Sequence, residues 1–337
     1  MSLDKLTKIY TPAIESELKN AVARINGPGL GELHDMMRYH LGWIGEGAGA
    51  KARGKRIRPL IVLLTTASAG GDWERALPAS AGIELVHNFS LIHDDIEDNS
   101  PLRRGRPTLW KKWGVPQAVN AGDAMFSLAH LALQPMETTS PTVNTLQAGR
   151  VLQQACLTLT QGQYLDIAYE DREDLSIEDY WPMVSGKTAA LLAACTELGA
   201  LVAEAAPATR EAYSNFGRHL GLAFQALDDI LGIWGESEHI GKSTASDLVE
   251  GKKSLPVLFA LKQGGIFAKR WHQGPIELEE VPILAAQLEA EGARSYTINE
   301  ASRLTDLALA SLDEANPGGD AGDALTTLAK QLLRREE

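Results

Sequence analysis

Apolar residues recur along most of the chain at intervals of three and four, the spacing that gives an α-helix one oily face. The stretches PLIVLLTTASA, AGIELVHNFSLIH, TAALLAACTELGALVAEAA and LAFQALDDILGIW all read this way. Alternating β-branched runs bounded by hairpin turns, the mark of strands, are nearly absent. Short breakers divide the helical segments, among them GPG at 27–29, GGD at 70–72, PLRRGRP at 101–107, GVP at 114–116 and ANPGGDAGD at 315–323. The pattern predicts an all-α fold, a bundle of roughly a dozen helices joined by short loops. No shift in composition marks a boundary, so one domain over residues 1–337 is expected. One connection, GESEHIGKSTASDLVEGKKSLP at 235–256, has the length of a functional lid.

Two apolar stretches invite a membrane reading and fail it. The run from Pro59 to Ala69 is too short to span a bilayer. Residues 188–206 are long enough but carry Glu197 and Glu204, which suits a helix buried in a large protein core. The opening MSLDKLTKIYTPAIESELKN has no apolar signal region, so a cytoplasmic protein without a membrane span is expected. A net charge of -12 argues against nucleic-acid binding, which needs a cationic surface. The two cysteines, Cys156 and Cys195, sit in apolar segments and rule out a disulfide framework, as in a reduced compartment.

Charge matters most where it is concentrated. Residues 87–108 read HNFSLIHDDIEDNSPLRRGRPT. On a helix, Asp94, Asp95 and Asp98 fall within an arc of roughly 100°, and His87 lies about two turns earlier on nearly the same side. Like charges on one face repel. Hard divalent cations held by oxygen ligands would remove the repulsion, and magnesium suits this best; the alternative is an acidic helix end in solvent. Arg103 and Arg104 follow in a loop, where guanidinium groups can grip phosphate in bidentate fashion or pair with the neighbouring acids.

A second cluster lies far downstream. FQALDDILGIWG sets Gln225, Asp228 and Asp229 at i, i+3 and i+4, a polar face on an otherwise apolar helix. The long loop after it carries Lys242, Lys252 and Lys253 with several glycines, a composition suited to closing over phosphate. VSGKTAALL puts Gly186, Lys187 and Thr188 at an expected helix start, where amides and a lysine attract anions. It is no Walker motif, since the first glycine and its spacing are missing. RGKRIRP brings Arg53, Lys55, Arg56 and Arg58, which taken alone read as a solvated basic turn. Two acidic clusters and several basic stations imply one site for two phosphate-bearing ligands and divalent cations.

With these residues in view the chain resembles the trans-isoprenyl diphosphate synthases, the polyprenyl synthetase family, and most of all its short-chain geranylgeranyl members. GKRIRP, SLIHDDIED with RRGRPT, GQYLD, GKT, FQALDD and GKSTASDLVEGKKSLP match in order between Gly54 and Leu258. The resemblance implies antiparallel helices around a deep central cavity and a homodimer. It assigns Asp94 and Asp98, with Asp95 supporting, to two magnesium ions, and Asp228 to a third, with Gln225 and Asp229 completing that side. Arg103, Lys187, Thr188, Gln225, Lys242 and Lys252 would contact an allylic diphosphate, and Lys55, Arg58, His87 and Arg104 isopentenyl diphosphate. Gln163 and Asp166 would line the site near the ions. The implied reaction ionises the allylic diphosphate, lets the isopentenyl double bond attack the cation, and loses a proton. The resemblance implies no covalent enzyme nucleophile.

One position departs from the family pattern. The second cluster ordinarily ends in a third aspartate, and here that place is Gly232. Slowed or altered turnover is expected from it, not a dead site. Phe89, five residues before Asp94, with Ser90 beside it, resembles the floor of a twenty-carbon product cavity. A helical wheel puts Phe89 about 140° from Asp94 and favours Val86 and Ser90 on the metal side, so Phe89 as plain core stays open. Other readings are a farnesyl or longer-chain synthase, a class I terpene cyclase needing no second diphosphate, or a non-catalytic subunit of a heteromeric synthase.

Overall fold

The computed structural model describes residues 1–235 and 246–333. Helices make up 77% of it, and the all-α expectation holds. The longer helices are α1 (Leu3–Val22), α2 (Gly31–His40), α3 (Ile57–Ser68), α4 (Leu77–Glu97), α5 (Val115–Leu131), α6 (Thr142–Glu170) and α7 (Ile177–Val184). After them come α8 (Ala190–Val202), α9 (Pro207–Trp234), α10 (Leu255–Gln263), α11 (Ile266–Trp271), α12 (Val281–Ala290), α13 (Ala293–Ala315) and α14 (Gly319–Leu333). Among the described residues the only sheet is one ribbon of two strands, β1 (Leu102–Arg103) and β2 (Arg106–Pro107). No described helix is long and apolar enough to cross a membrane.

The chain forms two compact units. The first comprises Met1–Cys156, Ala194–Ser214 and Ala315–Thr327, the second Leu157–Ala193, Asn215–Glu314 and Leu328–Glu337. In the first, α4 is the central element, and α1, α3 and α5 pack against it. Its Ile83, Leu85, Val86, Phe89 and Ile92 are all buried, so it reads as apolar on nearly every face until Asp94. Removing those side chains from water is the main drive to hold this helix in place. The second unit has its own core, where Ile233, Val257, Phe267, Leu284 and Leu288 pack together.

Local signals account for several element ends. Ser176 and Asp179 form a capping box at the start of α7, each side chain bonding the other's main-chain N–H. Pro78 sits in the first turn of α4, where its missing N–H costs nothing. Asn99, with φ 49°, takes the left-handed conformation just past the end of that helix.

One expectation fails in the first unit. Arg56 is not part of a solvated turn: it is buried, donating to Glu15 Oε1 at 2.8 Å, Glu84 Oε1 at 2.7 Å and the Leu41 carbonyl at 3.0 Å. Two glutamates inside a helical core need a cation, and the arginine supplies it. Cys156 and Cys195 are both buried thiols.

Candidate active site

In the first unit, the last turn of α4 carries the acidic cluster. Asp94 is half-buried and Asp98, which ends the helix, is exposed. Asp95 points the other way and is buried, its Oδ1 accepting from Arg103 Nε at 2.8 Å while Oδ2 meets no donor. Burial lifts its carboxyl to about 6, against the pull of Arg103. So Arg103 does pair with a neighbouring acid, and that acid is the one turned inward. Asp95 anchors the arginine, leaving Asp94 and Asp98 as the outward pair.

The arginines are presented by the small ribbon. Leu102 pairs with Pro107 and Arg103 with Arg106, which leaves Arg104 and Gly105 as the turn. Both have positive φ, 54° and 75°, as a type I′ turn requires. A left-handed backbone is unfavourable for arginine, and its side chain is held down in return: Arg104 Nη1 donates to the Ala52 carbonyl at 2.8 Å. Gly54 makes that possible, because a side chain there would meet the Arg104 guanidinium carbon at 2.9 Å. Arg106 fixes the ribbon by donating to the carbonyls of Tyr39, Ile44 and Glu46 and stacking 3.9 Å over the Tyr39 ring.

Arg58, at the start of α3, donates Nη1 to His87 Nε2 at 3.2 Å. That bond makes Nε2 the acceptor and the imidazole neutral. Burial, then Arg58, Arg104 and Arg103, hold His87 well below the ordinary histidine range. His40, not singled out from sequence, is lowered by burial and then by Arg103, Arg104, Arg56 and Arg106. Burial is the larger cause for both histidines, and the guanidinium groups around them add to it; that concentration of cations favours an anion. Lys55 is exposed. Phe89 is buried, its ring edge-on to Phe126 of α5 at 5.3 Å and to His93 at 5.8 Å, while Ser90 Oγ donates to the His87 carbonyl.

The second unit holds the other cluster. α7 does not end before GKT: it runs through a π turn, Ser185–Ala189, into α8. Gly186, Lys187 and Thr188 therefore stand inside a continuous helix and present no free amides, which corrects the expected helix start. Such bulges re-aim side chains, and they recur at functional sites. The bulge is pressed against α6, where a side chain on Gly162 would meet Lys187 N at 2.1 Å and one on Gly186 would meet Gly162 Cα at 2.7 Å. This close approach joins Lys187 Nζ to Asp166 of GQYLD. A side chain on Gly221 would likewise strike Ala189 Cα at 2.6 Å, so α9 lies close by, and Thr188 Oγ1 donates to Gln225 Oε1 at 2.8 Å.

Asp229 accepts three hydrogen bonds, from Tyr180 Oη at 2.8 Å, Gln225 Nε2 at 3.0 Å and Leu255 N at 2.8 Å. It is buried, and burial outweighs those donors, lifting the carboxyl to about 7. Like Asp95, it is the inward member of its pair, whereas Asp228 is half-buried. Lys252 is exposed and pairs with Glu250 at 2.9 Å and Asp247 at 3.5 Å. Lys242 lies outside the described residues.

Among the described residues no three His, Cys, Asp or Glu side chains gather into a complete metal cage. Asp94 and Asp98 in one unit, and Asp228 in the other, offer only hard oxygen ligands. That donor set fits magnesium, which takes one or two carboxylates and fills its remaining positions with water and substrate phosphate. The sequence did not disclose the backbone contact between Gly162 and Gly186, nor Tyr180 as a partner of Asp229; the glycine in each matched motif was the available signal.

Comparison with known proteins agrees with the motifs. The family model described as Polyprenyl synthetase matches residues 48–274. The chain is 42% identical over 281 residues to a (2E,6E)-farnesyl diphosphate synthase of Mycobacterium bovis, covering 80% of this chain and 77% of that one. It is 38% identical over 311 residues to a geranylgeranyl diphosphate synthase of Mycobacterium tuberculosis, covering 90% and 87%. Its fold superposes on the crystal structure of a polyprenyl synthetase from Streptomyces coelicolor with a TM-score of 0.87 at 36% identity, over 98% of this chain and all of that one. The chain belongs to the polyprenyl synthetase family, and it is a trans-prenyltransferase.

Proposed function

We propose that this member of the polyprenyl synthetase family condenses isopentenyl diphosphate with an allylic diphosphate, with magnesium as cofactor and geranylgeranyl diphosphate as product. The observation that carries the reading is the end of α4: an outward carboxylate pair, Asp94 and Asp98, followed by the ribbon that presents Arg103 and Arg104, with Arg58 bonded to His87 nearby. Cations are called for on one side and a diphosphate on the other.

Asp94, Asp98 and Asp228 are assigned to magnesium, about three ions in all by family resemblance. When bound, the metal neutralises diphosphate charge and makes the group able to leave. Arg58, Arg104, His87 and Lys55 hold isopentenyl diphosphate through its phosphates. Arg103, Lys187, Thr188, Gln225, Lys242 and Lys252 hold the allylic diphosphate. Asp95 and Asp229 fix Arg103 and Gln225, so the charged groups need not reorganise as charge moves. The allylic carbon–oxygen bond then breaks, the isopentenyl double bond adds to the allylic cation, and the departing diphosphate takes the proton. Water must be kept out, since it would capture the cation.

Phe89, buried between α4 and α5, supports a product limit of twenty carbons as part of the cavity floor. A fifteen-carbon product is the second reading, favoured by the name of the Mycobacterium bovis relative. Exposed Val115, Val119 and Phe126 on α5, with Val143 and Leu146 on α6, support pairing with a second copy of the chain. The lack of a spanning helix among the described residues supports a cytoplasmic enzyme.

The test is product analysis of the purified protein with magnesium and isopentenyl diphosphate, offering dimethylallyl, geranyl and farnesyl diphosphate in turn. A ladder ending at twenty carbons is expected. Ending at fifteen would replace the product and keep the reaction. Turnover of an allylic diphosphate without isopentenyl diphosphate would point to a cyclase, and no elongation from any primer would overturn the reading.

A further inference from the structure

Gly232 stands one turn past Asp228 on α9, about 40° round the helix from it. A Cβ placed there would meet Asp247 Oδ2 at 2.1 Å, Cγ at 2.6 Å and Oδ1 at 3.1 Å. The space that a side chain of residue 232 would fill is thus held by a carboxylate from another element, the single turn Ser246–Val249. Asp247 is fastened there. Its side chain is 14% exposed, it pairs with Lys252 Nζ at 3.5 Å, and its main-chain carbonyl accepts from Lys252 N at 2.9 Å. Its charge also acts on Asp229 and on Tyr180.

We infer that Asp247 supplies the carboxylate that position 232 lacks, completing the second acidic cluster from the 246–249 turn rather than from α9. On this view Gly232 is a vacancy the fold requires, because any side chain there evicts Asp247. Asp247 is a positioning residue: it holds a water of the hydrated cation assigned to Asp228 and orients Lys252. The inference rests on the prenyl-transfer reading of this cluster, and it concerns only which residue furnishes the carboxylate.

The experiment is a carboxylate exchange. Asp247→Asn, Gly232→Ala, Gly232→Asp, and the doubles G232D/D247A and G232A/D247A are compared with the unaltered chain. Each is melted with inorganic diphosphate across a magnesium series, and the magnesium needed for half the full rise in Tm is read. The magnesium dependence of turnover is measured alongside. Asp247→Asn keeps the size of the side chain, and melting without magnesium shows that each variant is folded.

D247N is expected to raise the magnesium requirement about 10- to 100-fold, the usual cost of losing a group that orients a metal's ligands. Gly232→Ala should raise it too, by displacing Asp247, whereas Gly232→Asp, which brings its own carboxylate, should stay closer to the unaltered chain. G232D/D247A should recover most of the loss, whereas G232A/D247A should not. An unchanged requirement in D247N, or equal recovery by both doubles, would overturn the inference. If the unaltered chain shows neither a magnesium-dependent rise in Tm nor turnover, the prenyl-transfer reading itself falls, which is a different result.

Discussion

The main-chain nitrogen of Lys187 lies 2.1 Å from where a side chain on Gly162 would begin, so α6 and the π turn touch backbone to backbone. Asp166, one turn past Gly162, meets the Lys187 ammonium because of that contact. Alanine is a better helix former than glycine by about 1 kcal/mol, yet at a backbone contact the overpacking cost of about 1–3 kcal/mol wins, and more so where no side chain can yield. Gly162→Ala should therefore lower Tm and cut turnover at least tenfold. A raised Tm in a thermal melt would contradict the contact.

The paired aspartates should separate by phenotype. Asp228→Asn and Asp94→Asn should lower turnover by about 10²–10³, the scale of losing one electrostatic stabiliser, with Tm nearly unchanged. Asp229→Asn should instead lower stability by about 1–3 kcal/mol, because an amide cannot accept from Tyr180, Gln225 and Leu255 together. Chelating magnesium should abolish turnover of the unaltered chain. Steady-state kinetics beside denaturant melts decides the matter, and equal Tm losses in all three variants would sink the distinction.

His87 gives a pH signature. Its folded pKa lies below the unfolded value of about 6.5, so the unfolded chain binds the proton first as pH falls. The stability tied to neutral His87 is then complete above about pH 6.5 and is lost below it. Asp95, raised to about 6, pulls the other way in the same range, since protonation favours the folded form as pH drops through that value. The clean measurement is the stability difference between the unaltered chain and His87→Gln. It should shrink as pH falls from 7.5 towards 5, a window set about the unperturbed imidazole value of ~6.5. A flat difference would mean that His87 titrates normally.

Arg56 should be a folding residue. Its replacement by methionine leaves Glu15 and Glu84 buried without a cation, at a cost of about 3–5 kcal/mol. Replacing all three with Glu15→Gln, Arg56→Met and Glu84→Gln should return most of that stability. Chemical denaturation reads both effects, and a triple variant no better than the single one would show that the ion pairs matter less than the shape of the arginine.

Phe89→Ala should shift the product ladder past twenty carbons while leaving the reaction intact. Product chromatography is the check. Truncating this ring also removes its edge contacts with Phe126 and His93, so Tm should fall as well. An unchanged ladder with a lowered Tm would make Phe89 core alone.

Much of this was legible beforehand. The apolar periodicity gave the helices, because a helix buried on one face writes its burial into every third or fourth residue. Asp94, Asp98 and Asp228 stood out as candidates because carboxylates crowd one helix face there, and Arg103 and Arg104 because two guanidinium groups follow the acids in a loop. Which aspartate of each pair turns inward was not legible: Asp94 and Asp95 look alike until Arg103 is in place. The π turn was hidden too, since VSGKTAALL has the composition of a helix start and only the packing of Gly162 and Gly221 shows otherwise. Arg56 looked like its neighbours because its partners, Glu15 and Glu84, are remote in sequence.

The β1–β2 ribbon bears on how this loop can change over generations. Side chains alternate along a strand, and the two-residue turn sets which arginine goes to Asp95 and which to Ala52. Leu102, 59% exposed, can be exchanged freely, as can any residue the ribbon does not use. A single-residue insertion or deletion between Pro101 and Thr108 would reverse the alternation and send both guanidinium groups to the wrong side. Lineages descended from this chain should therefore vary the loop in letters and keep its length.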